Sequence, residues 1–160
     1  MPDAVVDESK WPAVARAYDF VIPSYQQLVN RYEAADGRLT QSITLVSTLL
    51  FGIPLFARTI RPDVSFKSPF FLVSIALLAA SAIIGIAGRH RGRLRLVNPT
   101  HLYAEWLHLS EWEFKKDMVY FAGTDFTDNA DAIEQKARLS ALMNSLIITA
   151  LMFVVVWLAS

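Results

Sequence analysis

The sequence predicts an all-α integral membrane protein with three transmembrane helices and additional amphipathic helices on one side of the membrane. Of its 160 residues, 54% are apolar and only 19% are charged, and the mean hydropathy is +0.34. This composition is atypical of a soluble enzyme. The formal net charge is zero, so no overall charge attracts nucleic acid, and there is no cysteine for a disulfide, a thiolate metal site or a nucleophile.

Three stretches contain no Asp, Glu, Lys or Arg and are long enough to cross a bilayer, which takes roughly 20 apolar helical residues. They are residues 39–57, 69–88 and 139–159. None shows the strict alternation of apolar and polar residues that membrane barrel strands show. The first two stretches are predicted to form a transmembrane hairpin, and the third is predicted to be a separate transmembrane helix. No cleavable signal peptide is expected, because the N-terminal segment lacks a basic end followed by an apolar run.

The distribution of basic residues predicts the orientation. Twelve of the 15 Lys and Arg residues lie in segments 1–38 and 89–138, and the other three lie between the first two stretches. Because basic residues accumulate on the cytoplasmic side, the N-terminus is predicted inside and the C-terminus outside. We therefore expect a multi-pass protein of the bacterial inner membrane with most of its polar residues in the cytoplasm.

The N-terminal cytoplasmic segment, 1–38, is predicted to be an amphipathic helix. Apolar and tyrosine side chains recur at steps of three and four from Val14 to Tyr32, which places them on one helical stripe. Pro23 removes one backbone hydrogen bond and predicts a helix start or a kink near Ile22. The stripe is expected to pack on other cytoplasmic helices, to lie at the lipid interface or to form part of a partner-binding groove.

The second cytoplasmic segment, 89–138, is predicted to be helical as well. Asn98 followed by Pro99 is typical of a helix N-cap and first turn, which predicts a helix over 99–121. The sequence AGTDFTDNAD then predicts a break, and a further helix is expected to begin at Asp128 and continue into the third stretch.

Two features of this second segment are candidate ligand contacts. Trp106 belongs to an aromatic helical stripe that is expected to pack in a core, to anchor at headgroup level or to stack on a nucleobase. Guanidinium groups just beyond a span either anchor the topology, bind anionic lipid headgroups or hold a nucleotide phosphate. The run RHRGRLRL supplies four of them: Arg89, Arg91, Arg93 and Arg95.

Hydroxyl side chains form a stripe along the first stretch, at helical positions i, i+4, i+7 and i+8. A helix that faces only lipid has little reason to carry such a stripe, so it is predicted to pack against another helix or to line a water-filled pore. The stripe consists of Thr40, Thr44, Ser47 and Thr48. Asn144 lies about one turn inside the third stretch, where its amide is expected to hydrogen-bond another helix or to face the same pore.

Evidence for enzymatic chemistry is sparse. His101, Glu105 and His108 lie at i, i+4 and i+7, so one helical face would present His and carboxylate groups to a metal ion. A solvated polar face explains the same residues, and no Ser/His/Asp arrangement is apparent. We expect no catalytic residue, no metal site and no cofactor.

Two short strings, RYEAADGRL and DNADAIEQKARL, lie just before the first and third stretches. With this layout of spans and cytoplasmic helices, the chain resembles the compact transmembrane effectors of bacterial anti-phage signalling, namely the Pycsar transmembrane effectors and the related SLATT proteins. The resemblance extends over about residues 25–160, although such effectors often have two or four spans. It implies an effector that oligomerises or opens when a nucleotide messenger appears and so breaches the inner membrane.

The resulting hypothesis is a homo-oligomeric inner-membrane effector that disrupts or permeabilises the membrane in response to a cyclic nucleotide, with no nucleic-acid partner. Several copies are required, because the three short spans of one protomer cannot enclose a water-filled path. The alternative is a non-enzymatic membrane scaffold or assembly protein that docks a cytoplasmic partner through helices 13–38 and 99–121.

Overall fold

The computed structural model describes residues 10–96, 100, 104 and 106–160, and in this part of the chain it contains three long α-helices and no strand. The helices are α1 (Val14–Ile60), α2 (Pro69–His90) and α3 (Glu111–Ala159). Each contains a segment long and apolar enough to cross a membrane. The predicted all-α class and the three helices of membrane-spanning length are therefore confirmed.

Helix α1 begins earlier than the start near Ile22 that Pro23 suggested. It begins at Val14 and continues through Pro23 for 47 residues, so the expected helix start near Ile22 is wrong. Proline removes only one backbone donor from a helix, and the neighbouring hydroxyl of Ser24 donates to the carbonyl of Phe20 at 2.8 Å. The remaining backbone bonds of a long helix outweigh this single loss.

Helix α3 also differs from the expectation. It begins at Glu111 and continues to Ala159, so residues 122–131 are helical and the predicted break and new start at Asp128 are wrong. Pro99 lies outside the described residues, and a helix that begins at Glu111 excludes one continuous helix over 99–121. Gly123 has open space around it, and a glycine inside a helix costs only about 1 kcal/mol, which is too little to interrupt 49 residues.

A reciprocal cap explains where α3 begins. The backbone N–H of Glu113 donates to the Ser110 hydroxyl at 3.3 Å, and the backbone N–H of Ser110 donates to a Glu113 carboxylate oxygen at 3.1 Å. This is the capping box that the sequence S-x-x-E encodes, since both side chains satisfy donors that lack helical partners.

We predict that Ser110→Ala destabilises the start of α3 by about 1 kcal/mol, measured as increased amide hydrogen exchange over the first turn. The hydrogen bonds from Ser110 hold the pKa of Glu113 below its ordinary value. Because the pKa of Glu113 is lower in the folded state, its ionised carboxylate stabilises the turn at pH values above the unfolded-state pKa. Protection of this turn from hydrogen exchange is therefore expected to be lost as pH falls through the folded-state pKa. Unchanged exchange in Ser110→Ala at neutral pH would contradict the assigned cap.

The chain divides into two compact units. The first unit consists of the described residues within 1–31 and 94–131. The bundle, which contains the predicted spans, consists of residues 32–93 and 132–160. Helices α1 and α3 contribute to both units, whereas α2 belongs to the bundle alone.

The bundle has a closed apolar core in its middle. Its buried side chains are Leu39, Val46, Leu78, Met143, Ile147 and Ala150. Gly85 of α2 allows the closest approach, since a Cβ there would lie 2.7 Å from Ile43 and 2.9 Å from Met143. The buried hydroxyl of Ser81 donates to the backbone carbonyl of Met143 at 3.2 Å. Small residues of α2 thus permit tight packing with both other helices, as in many membrane bundles.

The two ends of the bundle differ. At one end, which we call the Leu39 end, Gly88 packs against Leu39 and Leu139, so one boundary of each charge-free stretch lies at the same level. At the other, the loop end, the connection between α1 and α2 packs on Trp157, which is 2% exposed and donates its indole N–H to Ser65 at 3.0 Å.

Candidate functional site

The hydroxyl stripe of α1 lies on the outside of the bundle. Thr40, Thr44, Ser47 and Thr48 are all exposed. Each hydroxyl donates to the backbone carbonyl four residues earlier, over distances of 2.9 to 3.1 Å. The hydroxyl donors are therefore satisfied within α1, whereas the oxygen lone pairs remain available as acceptors. The exposed side chains of the stripe are open to lipid, water or another protein molecule inside a membrane, and Thr48 also lines a groove beside Val154 of α3.

Asn144 bonds another helix, as one of the two sequence interpretations expects. The Ser42 hydroxyl on α1 donates to the Asn144 amide oxygen on α3 at 3.1 Å. The Asn144 side chain is exposed at the edge of the bundle. The hydrogen bond ties α1 to α3 within one protomer.

The arginine run ends α2 and continues into an extended strap, residues 91–96. Within the bundle, the Tyr32 hydroxyl donates to the carbonyl of Gly92, in the first part of the strap, at 2.7 Å. Gly92 adopts a φ of 70°, and a Cβ there would lie 3.0 Å from the Cβ of Ala132. Glycine is therefore required for this close approach.

The four arginines of the run have different environments. Arg95, which belongs to the first unit, forms an ion pair with Asp128. Its backbone is held by the fully buried side chain of Asn129, which accepts from the Arg95 N–H at 2.8 Å and donates to its carbonyl at 2.9 Å. The other three arginines are exposed, and no carboxylate of the described residues lies within ion-pair distance of them: Arg89, Arg91 and Arg93.

A buried lysine is the main site residue that the sequence analysis did not identify. The side chain of Lys136 on α3 is fully buried, and its ammonium group donates to Asp36 of α1 at 2.6 Å. It also donates to the backbone carbonyl of Arg89 at 3.3 Å and lies 4.6 Å from the ring centre of Tyr32. One cation on α3 thus connects α1 and α2 at the Leu39 end.

A sequence signal for this pair exists. Asp36 and Lys136 stand at the same offset, three residues before Leu39 and Leu139, where the first and third charge-free stretches begin. Opposite charges at equal offsets from two spans that start on the same side favour an ion pair at the bundle end. The pair also joins the two strings on which the family resemblance depends.

Trp106 is not available for base stacking in this structure. It is 7% exposed and packs within the first unit against Phe114 and Phe121, with ring centres 6.0 and 5.1 Å away. A nucleobase needs an open aromatic face, and these neighbours occupy the ring. The core interpretation of Trp106 fits the observed packing, and the stacking role is not supported.

The described residues do not form the metal site that His101, Glu105 and His108 suggest. His101 and Glu105 lie outside the described residues, and the described His108 is exposed. Among the residues that are described, no group of three His, Cys, Asp or Glu side chains could hold a metal ion.

An open groove of about 650 Å³ lies within the first unit, between the beginning of α1 and the N-terminal part of α3. Its walls are mainly apolar, with Trp11, Val14 and Tyr120 among the lining residues. The charged lining residues are Lys10, Lys116 and Asp117. The size and apolar character are in the range of small-molecule and peptide sites.

The fold and these sites define a three-helix membrane bundle joined to a helical unit. Comparison with known proteins adds no family: the chain matches no protein-family model, no curated protein and no solved structure.

Proposed function

We propose that the protein is an oligomeric effector of the bacterial inner membrane that permeabilises the membrane when a nucleotide signal reaches its cytoplasmic part, in defence against phage. The N-terminal segment and residues 89–138 are assigned to the cytoplasm on the distribution of basic residues. The nucleotide signal and the defence role rest on the resemblance to the compact transmembrane effectors.

The observation that carries the proposal is the exposed hydroxyl stripe of α1 on a bundle whose own core is closed. Leu39, Val46 and Met143 belong to the buried apolar core of the bundle, so in this proposal the water-filled path forms between protomers. The hydroxyl stripe offers oxygen acceptors along the outer face of α1. Several copies with this face inward would line a pore with hydroxyl oxygens.

We predict that Thr44→Leu combined with Ser47→Leu abolishes the permeability. Leucine is a good helix former, so α1 is expected to stay helical, but its apolar side chain lacks the oxygen acceptors that would hold water in the path. The measurement is membrane potential, read by a voltage-sensitive dye in cells that express the protein and a panel of nucleotide cyclases. Depolarisation that requires one nucleotide and disappears in the double variant is the expected result.

Helix α3 offers a matched control. Ser145 and Thr149 are exposed, lie in a predicted span and donate to the carbonyls of the residues four before them, at 3.0 and 2.9 Å. Ser145→Leu with Thr149→Leu is expected to leave depolarisation intact. Equal loss in both double variants would show that apolar bulk in the membrane, rather than the stripe, is responsible.

The second candidate function is a scaffold that docks a cytoplasmic partner, and the open groove of the first unit favours it. Absence of depolarisation with every nucleotide, after membrane insertion has been verified, would favour this scaffold over the effector. Photo-cross-linking from Tyr120, which lines the groove, would then identify the partner.

A further inference from the structure

The cations at the Leu39 end of the bundle fall into two groups, and Arg38, which is exposed and has no ion-pair partner among the described residues, belongs to the unpaired group. Lys136 is paired with Asp36, and Arg138 is paired with Glu134, each at 2.6 Å. The three arginines at the end of α2 and in the strap have no such partner among the described residues, and all three are exposed. We call Arg89, Arg91 and Arg93 the strap arginines. They carry three positive charges that the rest of the bundle leaves uncompensated.

The strap arginines lie at the edge of the predicted hydrocarbon layer. The charge-free stretch of α2, residues 69–88, is about 30 Å long at 1.5 Å per residue, which equals the thickness of a bilayer core. Arg89 follows it directly. Gly88 packs at the level of Leu39 and Leu139, so all three charge-free stretches reach this boundary together. Guanidinium groups just beyond it are at the depth of lipid headgroups.

The strap holds its arginines in place. The backbone N–H of Arg91 donates to the carbonyl of Ala87 at 3.2 Å, and Tyr32 fixes the next residue through its carbonyl. The close contact of Gly92 with Ala132 holds the main chain against the bundle. A fixed main chain with exposed guanidinium groups lowers the ordering cost of binding several phosphates.

The same geometry argues against a site for a soluble phosphate. Such sites are concave and add backbone N–H groups from a loop or a helix N-terminus. The strap arginines instead lie in the last turn of α2 and just beyond it, at a helix C-terminus, and are open to the surroundings. Three exposed guanidinium groups at a bilayer boundary match a row of separate phosphates better than one enclosed anion.

We propose that the strap arginines form a binding surface for anionic phospholipid headgroups, which draws phosphatidylglycerol or a lipid of like charge to the Leu39 end of the bundle. The inference goes beyond the proposed function and does not depend on whether the membrane is permeabilised. The positive charge of the three guanidinium groups supplies most of the attraction, and bidentate contact with the lipid phosphate adds to it.

The test uses the full-length protein in bilayers of phosphatidylcholine and phosphatidylglycerol, with electron paramagnetic resonance of spin-labelled lipids as the readout. We expect the wild type to prefer phosphatidylglycerol over phosphatidylcholine. Replacing all three strap arginines by Gln is expected to lower this preference about fivefold or more, whereas replacement by Lys retains most of it. A wild type that shows no lipid preference, or a triple Gln variant that keeps the preference, overturns the proposal. If the triple variant does not fold, Arg91→Gln alone is used, and a smaller loss of preference is expected.

A matched control removes the same charge from paired cations. Lys115, Lys116 and Arg138 are each within ion-pair distance of a carboxylate. Their combined replacement by Gln is expected to leave the lipid preference nearly unchanged. An equal loss in this control would show that net charge alone decides the preference and would overturn the assignment to the strap.

A competition arm separates lipid from soluble phosphate. Inorganic phosphate and cyclic nucleotides, each compared with chloride at equal ionic strength, are expected to leave the preference for phosphatidylglycerol unchanged. Specific displacement of the lipid by a cyclic nucleotide would assign the strap arginines to the messenger and overturn the lipid proposal.

Discussion

Asp36→Ala is expected to destabilise the bundle by about 3 kcal/mol or more, one of the two largest single-residue effects we anticipate. The substitution leaves the ammonium group of Lys136 fully buried without a counter-charge. Removing one partner of a buried pair costs more than the pair contributes, because the remaining charge has neither water nor a carboxylate. The effect is measured by thermal unfolding of the purified protein in detergent, with tryptophan fluorescence as the signal.

Two further variants test the reason for this effect. Asp36→Leu combined with Lys136→Met removes both charges and is expected to restore stability to within about 1 kcal/mol of the wild type. Arg138→Ala removes a cation from an exposed pair with Glu134 on the same helix and is expected to cost no more than about 0.5 kcal/mol. A double variant as unstable as Asp36→Ala would show that the destabilisation does not arise from a buried uncompensated charge.

Gly85→Leu is expected to separate α2 from its neighbours and to destabilise the bundle by roughly 3 kcal/mol, the upper part of the usual range for overpacking. Even a Cβ at this position would lie 2.7 Å from Ile43 Cγ1 and 2.9 Å from the end of Met143. The Met143 side chain is flexible and can move, but Ile43 is β-branched and stiff. Chemical unfolding in mixed micelles measures the loss.

Gly37→Ala provides the control of opposite sign. This glycine lies inside α1, and no atom beyond its chain neighbours and its own helix backbone lies within 4 Å of the place where a Cβ would stand, so alanine fits freely. Since glycine is a poor helix former, the variant is expected to gain up to about 1 kcal/mol. Equal stability of Gly85→Leu and the wild type would mean that α2 does not pack as closely as the structure describes.

The Asp36 and Gly85 predictions concern the Leu39 end and the middle of the same bundle. Both measure stability, which can therefore be separated from permeation. Neither Asp36 nor Gly85 belongs to the hydroxyl stripe of α1, so their effects follow from packing whatever the stripe does. A permeability change in the Thr44 and Ser47 double variant with unaltered unfolding would therefore report on the stripe itself.

Several misjudged helix boundaries have a common physical origin. Pro23 and Gly123 are local breakers, and each costs a helix a bounded amount. In the structure both lie inside helices of 47 and 49 residues, where many other backbone bonds continue. The capping box at Ser110, a local S-x-x-E signal that the sequence analysis did not identify, marks the start of α3 in the structure.

The candidate sites show the same division. The hydroxyl stripe was visible from helical spacing, but spacing alone left open whether it packs inside the bundle, and the structure places it outside. The aromatic stripe around Trp106 left open whether the ring packs in a core, anchors at headgroup level or stacks on a base, and only its contacts with Phe114 and Phe121 show that the ring is covered. The four arginines of the run are equivalent in sequence spacing, but in the structure Arg95 forms an ion pair with Asp128 and the other three do not.

By itself the sequence determined the class of this protein: three charge-free stretches of membrane-spanning length dictate helices, because only an internally bonded backbone is stable in lipid. Only the tertiary structure showed which of the polar groups that the sequence offers meet. Lys136 and Asp36 are separated by about a hundred positions in the sequence. Hydrophobic pattern acts along the chain, whereas ion pairs and close helix contacts depend on how the helices are aligned and rotated against one another.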